Sequence, residues 1–397
     1  MKVALAFSGG LDTSWCVPVL REMGHEIVTV TVDVGGFTPA EIDEIRERSA
    51  ALGVTEHVFV DASEAFFDEM IRFLIAGNVL RGGTYPLCVG AERSLQAREV
   101  AKVAQAVGAE AIGHGCTAAG NDQFRFETAL RTLAPDLVIL APVRDQAPAR
   151  AAQLALLSAN GIDFPAQKAA YSINSGLWGV TIGGEETTGT DRTIPESAWQ
   201  RTRGALDTLK PATQHILGFE QGIPASLDGV KMSPIEVIRA VDELAASYGL
   251  GRGIHLGETI LGIKGRVAFE APAASVIIPA HRELEKLTLT KRQISMKDAV
   301  AAMYGEWVHE GLATEPAARH AEALFIDSQK HVTGEVHFEL RTGSLFFTGV
   351  TSPYSLHAAS RAVYGEAVGE WTPDDARGFG RLYGLSGILH ARTEVKP

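Results

Sequence analysis

The first 165 residues alternate between short apolar runs and longer helix-like segments, and this alternation constrains the fold more than any other feature. The apolar runs are continuous and rich in β-branched residues, which is typical of strands buried in a parallel sheet. We predict strands at Lys2 to Phe7, Ile27 to Val32, His57 to Val60, Ala111 to Ile112 and Leu137 to Val143. We predict helices at Asp12 to Met23, Pro39 to Leu52, Ala62 to Ile75 and Ala91 to Val107. This order predicts an α/β fold with a doubly wound parallel sheet, which binds ligands at the carboxyl ends of its strands.

A run of small and polar residues directly follows the first predicted strand. It reads Ala6-Phe7-Ser8-Gly9-Gly10-Leu11-Asp12-Thr13-Ser14. Adjacent glycines let the backbone approach a ligand closely, and the N-terminus of the next helix offers free N–H groups, so the run predicts a phosphate site. It has neither the lysine of the Gly-x-x-x-x-Gly-Lys-Ser/Thr loop nor the spacing of Gly-x-Gly-x-x-Gly folds. Taken alone, the two glycines also fit a plain turn between strand and helix.

Two other strand ends carry polar residues that we expect at the same edge of the sheet. Asp33-Val34-Gly35-Gly36 follows the second predicted strand, and the stretch from 113 to 127 follows the fourth. Within that stretch, Asn121 and Asp122 have a structural alternative, because either residue could cap the following helix. Capping does not explain Arg125 beside Asp122. This combination suits a ligand that carries a carboxylate together with an ammonium or ureido group.

Composition and charge argue against several classes of protein. The net charge is −12 and the basic residues form no runs, so we expect no nucleic-acid partner. Cys16, Cys88 and Cys116 lie far apart and the histidines form no H-E-x-x-H pattern, which argues against a disulfide framework and a protein-held metal. No apolar run reaches the roughly 18 residues of a membrane span. With no basic leader before the first strand, we expect a cytoplasmic protein with no membrane partner.

Together the motifs resemble the argininosuccinate synthase family, a branch of the PP-loop ATP pyrophosphatases. The first run is similar to the loop of enzymes that cleave ATP between its α and β phosphates, and Gly120-Asn121-Asp122-Gln123-x-Arg125-Phe126-Glu127 is the second motif. Further matching stretches follow in the family's order: Tyr85-Pro86-Leu87 with Arg93, Tyr171-Ser172-Ile173, Gly251-Arg252, Gly262-Ile263-Lys264-x-Arg266 and Asp375-Ala376-Arg377-Gly378-Phe379. Two motifs at strand ends of one sheet argue against a chance match.

The resemblance implies an ATP-dependent ligase of arginine biosynthesis that condenses citrulline with aspartate to argininosuccinate. A citrullyl-AMP intermediate forms, and AMP and pyrophosphate are released. The family pattern also implies a homotetramer and Mg²⁺ that arrives with ATP. The implied ATP-binding residues are Ala6, Phe7, Ser8, Gly9, Gly10, Leu11, Asp12, Thr13, Ser14, Val32 and Gly115. The implied aspartate-binding residues are Thr117, Asn121 and Asp122, and the implied citrulline-binding residues are Tyr85, Arg93, Asn121, Arg125, Ser172 and Thr181.

Two roles stay open at this stage. No residue is assigned as catalytic, because no dedicated base is evident and positioning can supply much of the rate. Asp12 is the one carboxylate of the first loop, and it would either hold Mg²⁺ or cap its helix.

The chain departs from the family pattern at several positions. A lysine near the nucleotide is replaced by Ala119. Counting without gaps from Gly251-Arg252, a glutamate that contacts citrulline falls on Gly257 and a tyrosine falls on Phe269. Losing a buried polar partner costs about 1–3 kcal/mol. Either Glu258 or another nearby group replaces the glutamate and the acceptor is free citrulline, or the acceptor is an α-N-acylated citrulline.

Two alternatives of another kind share the first motif. One is an ATP pyrophosphatase that acts on a nucleotide or tRNA, which would need a basic RNA-binding face or catalytic cysteines. The acidic charge and the scattered cysteines argue against this class. The other is a non-catalytic ATP-binding module, for which Ala119 is the supporting feature.

The pattern changes after residue 165, and we predict three domains: a nucleotide-binding domain at 1–165, an α+β synthetase and multimerisation domain at 166–360, and an oligomerisation tail with a short helix at 361–397. Gly176 to Thr190 is predicted as a loop, and Asp228-Gly229 and Thr342-Gly343 as hairpin turns. Ser233 followed by Pro234 and Glu236 predicts a capped helix start. The tail helix carries Phe379, Leu382 and Tyr383, which pack either on a neighbouring subunit or on their own domain.

Overall fold

A computed structural model describes residues 1–164, 171–366 and 368–394. The chain forms two compact units, residues 1–352 and residues 353–397. The predicted boundary between residues 165 and 166 lies outside the described residues, so the division into three domains stays a prediction.

A parallel five-stranded sheet forms the centre of residues 1–164. Its strands are β1 (Lys2–Ala6), β2 (Glu26–Asp33), β3 (Glu56–Asp61), β4 (Ala111–Gly113) and β5 (Val138–Leu140). Their order is β3-β2-β1-β4-β5, and all neighbouring strands are parallel. The winding reverses between β1 and β4, and this switch point is where open α/β sheets bind ligands. The predicted doubly wound sheet is therefore confirmed.

Both faces of this sheet are buried, because side chains alternate along each strand. Val3 and Leu5 of β1 pack in one apolar core, and Ala4 between them packs in the other. The first core includes Trp15 and Leu20. A strand buried on both faces must be apolar at every position, which explains the continuous apolar runs of the sequence.

Helices cover the two faces of the sheet. They are α1 (Leu11–Glu22), α2 (Pro39–Ala51), α3 (Ser63–Phe66), α4 (Arg72–Ala76), α5 (Arg93–Ala106), α6 (Asp122–Leu133), α7 (Pro142–Gln146) and α8 (Arg150–Ala159). The predicted helix from Ala62 to Ile75 is divided by a π-helical segment, Phe67–Ile71. The predicted strand from Leu137 to Val143 was too long, because α7 begins at Pro142. Proline fixes φ near −65° and suits the first position of a helix.

Two antiparallel sheets follow within residues 171–352. The larger has the order β10-β9-β8-β13-β14 and the smaller β11-β12-β7-β6. The strands are β6 (Ser172–Gly176), β7 (Gly179–Gly183), β8 (Thr213–Glu220), β9 (Ile223–Leu227), β10 (Val230–Lys231), β11 (Arg252–Glu258), β12 (Lys264–Glu270), β13 (Gly334–Arg341) and β14 (Ser344–Thr351). The predicted turns at Asp228-Gly229 and Thr342-Gly343 join strand pairs as expected.

The predicted loop from Gly176 to Thr190 is wrong in its first half. Strand β7 occupies Gly179–Gly183 and pairs with both β6 and β12. Val180 and Ile182 of β7 are buried with Trp199 in a small core of their own. The glycines suggested a loop, but the burial of these alternating apolar residues stabilises a strand.

Helices in this part are α9 (Pro234–Ser247), α10 (Pro272–Thr288), α11 (Lys291–Glu310) and α12 (Pro316–Ser328). The predicted cap of α9 is confirmed: Ser233 Oγ accepts from Glu236 N at 3.4 Å, and the Glu236 carboxylate accepts from Ser233 N at 2.8 Å. Among the residues that the structure describes, no helix has the length and apolar content needed to cross a membrane.

The second unit contains α13 (Leu356–Ala359), α14 (Pro373–Tyr383) and α15 (Leu385–Glu394). Phe379, Leu382 and Tyr383 of α14 are exposed, and the rings of Phe379 and Tyr383 stack with centroids 4.9 Å apart. The predicted C-terminal helix therefore forms, and its apolar side chains face outward.

Candidate active site

The loop between β1 and α1 has the backbone geometry of an anion site. Gly9 has φ +68°, a left-handed conformation that favours glycine, and a Cβ there would lie 3.0 Å from Ile45 Cγ1. Helix α1 begins at Leu11, and no side chain caps its first turn. The first N–H groups of the helix have no intrahelical acceptor and are oriented toward the end of β1. Hydroxyl groups of Ser8 and Thr13 lie 3.3 Å apart beside this turn.

Asp12 does not cap α1, which corrects one of its two predicted roles. Its Oδ1 accepts a hydrogen bond from Gln153 Nε2 of α8 at 2.7 Å, and Gly10 occupies the N-cap position. Arg48 of α2 donates from NH1 to the carbonyl oxygen of Gly9 at 2.9 Å. The same guanidinium lies 4.4 Å above the Phe164 ring, so a cation is held against the loop.

The loop that follows β4 lies against the first loop. A Cβ on Gly115 would lie 3.1 Å from the backbone N of Thr13, so only glycine permits this approach. Burial raises the pKa of the Cys116 thiol to about 12, and the charges of both Asp12 and Asp122 add to this effect. Cys116 therefore lies between the first loop and the N-terminus of α6. Val32 is buried near the end of β2, and Thr117 is exposed with its carbonyl accepting from Gly120 N at 3.3 Å.

Asp122 is clamped between two arginines at the start of α6. Its Oδ2 accepts from Arg93 Nε at 3.0 Å and its Oδ1 from Arg125 NH1 at 2.7 Å. Burial raises the pKa of Asp122, but the two guanidinium groups outweigh burial and hold the pKa below its usual range. The carboxylate is therefore ionised. The pairing of Asp122 with Arg125 that stood out in the sequence is a direct ion pair.

Arg125 is also held from the second half of the first unit. Its Nε donates to the His309 carbonyl at 2.7 Å, and its NH2 lies 3.1 Å from His309 Nδ1. Because arginine only donates, Nδ1 must be the acceptor nitrogen of a neutral imidazole. Burial and the charge of Arg125 lower the pKa of His309 to about 3, which agrees with this assignment. Two donor hydrogens of the guanidinium remain for a ligand.

Asn121 is fixed by a backbone group from the loop between β11 and β12. Its Oδ1 accepts from Ile260 N at 3.0 Å, so the amide oxygen is engaged. The amide nitrogen is then the group that Asn121 can offer to a ligand, and it donates only. Asn121 makes no capping hydrogen bond to α6, so the capping alternative for this residue is wrong.

Tyr85 is buried between two other rings. The His255 ring stacks on it at 5.3 Å and the Phe269 ring lies at 5.1 Å. Phe269 also pairs across the sheet with Thr181, which is buried on β7. Ser172 lies at the exposed start of β6. The structure thus brings Tyr85 and Thr181 together through Phe269, whereas Ser172 stands at the edge of this group.

Arg93 connects the acceptor residues to β6. Its NH2 donates to Asn174 Oδ1 at 2.9 Å and its NH1 to Glu92 Oε1 at 3.0 Å. Glu92 is 1% exposed, and its Oε2 has no partner among the described residues. Burial raises the pKa of Glu92 to about 8, although Arg93 partly lowers it. A neutral carboxyl group at neutral pH is the expected state.

Sequence reasoning missed Arg48, Gln153, His309 and the backbone N–H of Ile260. Each of them reaches the site from an element remote in the sequence, and none stands in a recognisable motif. Arg48 is one of several charged residues along α2, and no local signal separates it from its neighbours.

Models of two protein families match most of the chain. The model described as "Arginosuccinate synthase N-terminal HUP domain" matches residues 2–163. The model described as "Arginosuccinate synthase C-terminal domain" matches residues 171–390. Both loops of the candidate site lie within the first match.

Curated relatives are similar over nearly their whole length. An argininosuccinate synthase of Methanocaldococcus jannaschii is 37% identical over 387 residues, which cover 97% of each chain. One of Hyperthermus butylicus is 38% identical over 396 residues and 99% of each chain. One of Xanthomonas campestris pv. campestris is 38% identical over 407 residues and 98% of each chain.

Proposed function

This chain belongs to the argininosuccinate synthase family, and we propose that it condenses citrulline with aspartate to argininosuccinate in arginine biosynthesis. In the first step, the ureido oxygen of citrulline attacks the α-phosphorus of ATP and the bond to the β-phosphate oxygen breaks. Pyrophosphate leaves with that electron pair. In the second step, the aspartate amine attacks the ureido carbon of citrullyl-AMP, AMP leaves, and the amine loses a proton.

The first loop would bind the triphosphate of ATP. Backbone N–H groups at the start of α1, with the hydroxyls of Ser8, Thr13 and Ser14, would stabilise the charge that grows on the leaving pyrophosphate. Glycine at position 9 permits the left-handed turn, and Arg48 adds a positive charge beside it. Ala6, Phe7 and Leu11 would shape the loop, and Val32 and Gly115 would border the nucleotide.

Mg²⁺ would arrive as part of the MgATP substrate. Magnesium prefers oxygen ligands and retains phosphate and water oxygens in such sites. Gln153 occupies one oxygen of Asp12, so the second oxygen is the protein ligand that the first loop can offer. This role for Asp12 replaces the capping role that the structure excludes.

The acceptor and donor would bind beside the arginine clamp. Thr117, Asn121 and Asp122 would bind aspartate, with the ionised Asp122 facing the ammonium group. Tyr85, Arg93, Asn121, Arg125, Ser172 and Thr181 would bind citrulline, and the unused donors of Arg125 suit a carboxylate. Both carboxylate oxygens of Asp122 already accept from arginine, yet each keeps a lone pair for a ligand.

The contact between Gly115 and Thr13 carries this proposal. It joins the loops at the ends of β1 and β4, so a phosphate at one loop and an amino acid at the other would be neighbours. Holding reactants at contact distance converts a bimolecular step into an effectively unimolecular one. With no dedicated base among the residues named above, positioning and electrostatic stabilisation would supply most of the rate.

Pyrophosphate release tests the function. We expect release that requires ATP, aspartate and citrulline together, with argininosuccinate and AMP formed in equal amounts. Free citrulline, N-acetylcitrulline and N-succinylcitrulline are compared as acceptors, because the departures at Gly257 and Phe269 bear on that end of the substrate. ATP binding without pyrophosphate release with any acceptor would contradict the proposal and favour a non-catalytic module.

A pair of glycine variants tests the first loop. Gly9→Ala and Gly24→Ala both place alanine at a positive φ, +68° and +83°, so each should lose about 1–2 kcal/mol of stability. Gly24 ends α1 away from the loop, and a Cβ there would have no neighbour within 4 Å. We expect the KM for ATP to rise at least tenfold in Gly9→Ala and to stay within twofold in Gly24→Ala. Equal effects on KM would contradict the role of the loop.

We also propose a homotetramer in the cytoplasm with small-molecule partners. The exposed apolar face of α14 supports assembly, and the separated cysteines fit a reducing compartment. The dispersed basic residues support the expectation of no nucleic-acid partner.

A further inference from the structure

Free citrulline carries an α-ammonium group, and Glu258 is not placed to bind it beside Tyr85. Residues of a strand alternate between the two faces of a sheet, so His255 and Gly257 share one face and Glu258 lies on the other. His255 stacks on Tyr85, whereas the Glu258 carboxylate bonds to Lys264 at 2.6 Å. The replacement of Gly257 by Glu258 that the sequence suggested is therefore not supported.

The space that a side chain at Gly257 would need is already filled. A Cβ at this position would lie 2.4 Å from His255 Nε2 and 2.9 Å from Arg81 NH1. Arg81 is fixed there by contacts of NH1 with His255 Nε2 at 3.3 Å and of NH2 with the Glu258 carbonyl at 3.1 Å. Its side chain is only 11% exposed. A guanidinium thus occupies this face of β11.

Arg81 in turn holds a carboxylate from α11. Its Nε lies 3.2 Å from Glu306 Oε1 and 3.3 Å from Oε2, so a single N–H is shared between the two oxygens. The Glu306 side chain is 51% exposed, unlike that of Arg81. Each oxygen of a carboxylate has two acceptor positions, so Glu306 keeps free acceptors that are open to solvent.

The position of Glu306 on α11 relates it to Arg125. Residues three apart lie on one helix face with Cβ atoms about 5–6 Å apart, so Glu306 and His309 are neighbours. His309 is the residue that holds the Arg125 guanidinium. One face of α11 therefore places a carboxylate one turn away from a guanidinium that has free donors. That pair of opposite charges matches the two ends of an α-amino acid.

We propose that Glu306 binds the α-ammonium group of citrulline and makes the site specific for the free amino acid. Arg125 binds the α-carboxylate, and Arg81 is a positioning residue that holds the Glu306 carboxylate through Nε. The inference rests on the proposed function and deepens it, because it assigns the acceptor's amino end to a residue outside every sequence motif.

The substitution Glu306→Gln tests this role, since it keeps the shape of the side chain and removes its charge. Pyrophosphate release is measured with citrulline and with N-acetylcitrulline, which lacks the ammonium group. We expect the KM for citrulline to rise at least tenfold, with the KM values for ATP and aspartate within twofold of the parent. The low kcat/KM for N-acetylcitrulline should not fall further.

Two further variants separate recognition from folding. Glu258→Gln removes an exposed carboxylate from the other face of β11 and should leave the KM for citrulline within twofold. Arg81→Ala should raise the KM for citrulline without changing that for ATP, and Arg81→Lys should restore part of the loss. A merely structural role for Arg81 would instead change kcat and all three KM values together.

Calorimetric titration of the chain with citrulline, without ATP, gives an independent measurement of binding. Weaker binding of citrulline to Glu306→Gln supports the proposal even if turnover is absent, and absent turnover by itself contradicts only the proposed function. Unchanged citrulline binding in Glu306→Gln, equal losses for citrulline and N-acetylcitrulline, or a parent protein that prefers the acetylated acceptor would overturn it.

Discussion

Partners rather than burial alone decide the charge of the acidic residues in the site. Asp122 and Glu92 are both desolvated, yet the pKa of Asp122 lies below its usual range and that of Glu92 rises to about 8. Asp122 accepts from two guanidinium groups, one on each oxygen. Glu92 receives one donor, from Arg93, and its second oxygen is buried without a partner among the described residues. A single donor does not compensate for the loss of water around both oxygens.

The raised pKa of Glu92 predicts a pH-dependent stability. Between its ordinary value of 4.5 and about 8, the folded chain keeps a proton that the unfolded chain releases. Stability should therefore fall as pH rises through this window, by up to about 1.4 kcal/mol per pH unit. Glu92→Gln removes this contribution and should stabilise the chain more at pH 8 than at pH 5. Urea unfolding across that range, followed by tryptophan fluorescence, measures the difference.

A matched control for this prediction is Glu64→Gln. Glu64 is exposed on α3, so this variant should follow the pH profile of the parent chain. If Glu92→Gln also runs parallel to the parent between pH 5 and pH 8, the carboxyl group at position 92 is ionised throughout and the assignment is wrong.

At the scale of elements, one hairpin braces residues from several parts of the site. Strands β11 and β12 and their connecting loop contribute the His255 ring that stacks on Tyr85 and the Ile260 N–H that fixes Asn121. The Glu258 carbonyl accepts from Arg81. Side chains held by such contacts lose little freedom when a ligand binds, which favours affinity.

Local capping predicts a measurable contribution to stability at the start of α9. Ser233→Ala removes the hydroxyl that accepts from Glu236 N, leaving an N–H of the first turn without its partner. We expect a loss of about 1 kcal/mol in the free energy of unfolding. Ser247→Ala, at the other end of the same helix, removes only a donor to the Leu244 carbonyl and should stay within about 0.5 kcal/mol. Equal losses would show that the cap has no special role.

At the scale of the whole molecule, the outward face of α14 predicts association. Phe379, Leu382 and Tyr383 are 63%, 73% and 77% exposed, which is unusual for large apolar residues grouped on one helix. Phe379→Asp and Leu382→Asp together should reduce the mass in light scattering from four chains to a smaller assembly. Val230→Asp, an exposed apolar position on β10, is the control and should not change the mass. A parent chain that is already monomeric at micromolar concentration would contradict the prediction.

The sequence by itself determined the features that depend on neighbouring residues. Continuous apolar runs specified strands buried on both faces, and the proline and capping residues of α9 specified where that helix begins. The glycines of the first loop specified a turn that only residues without a Cβ adopt freely. These are local effects of sterics and hydrogen bonding, so they follow from the order of the residues.

Only the tertiary structure decided which groups meet in the site. Arg125 and His309 are 184 positions apart in the chain, and Asn121 and Ile260 are 139 apart. The family pattern placed Asn121 and Arg125 beside substrates, but it gave no sign of the backbone groups that orient them. The same applies to Gln153, which turned Asp12 away from the predicted cap. Contacts of this kind depend on how sheets and helices pack, and that packing follows from burial across the whole core rather than from local sequence.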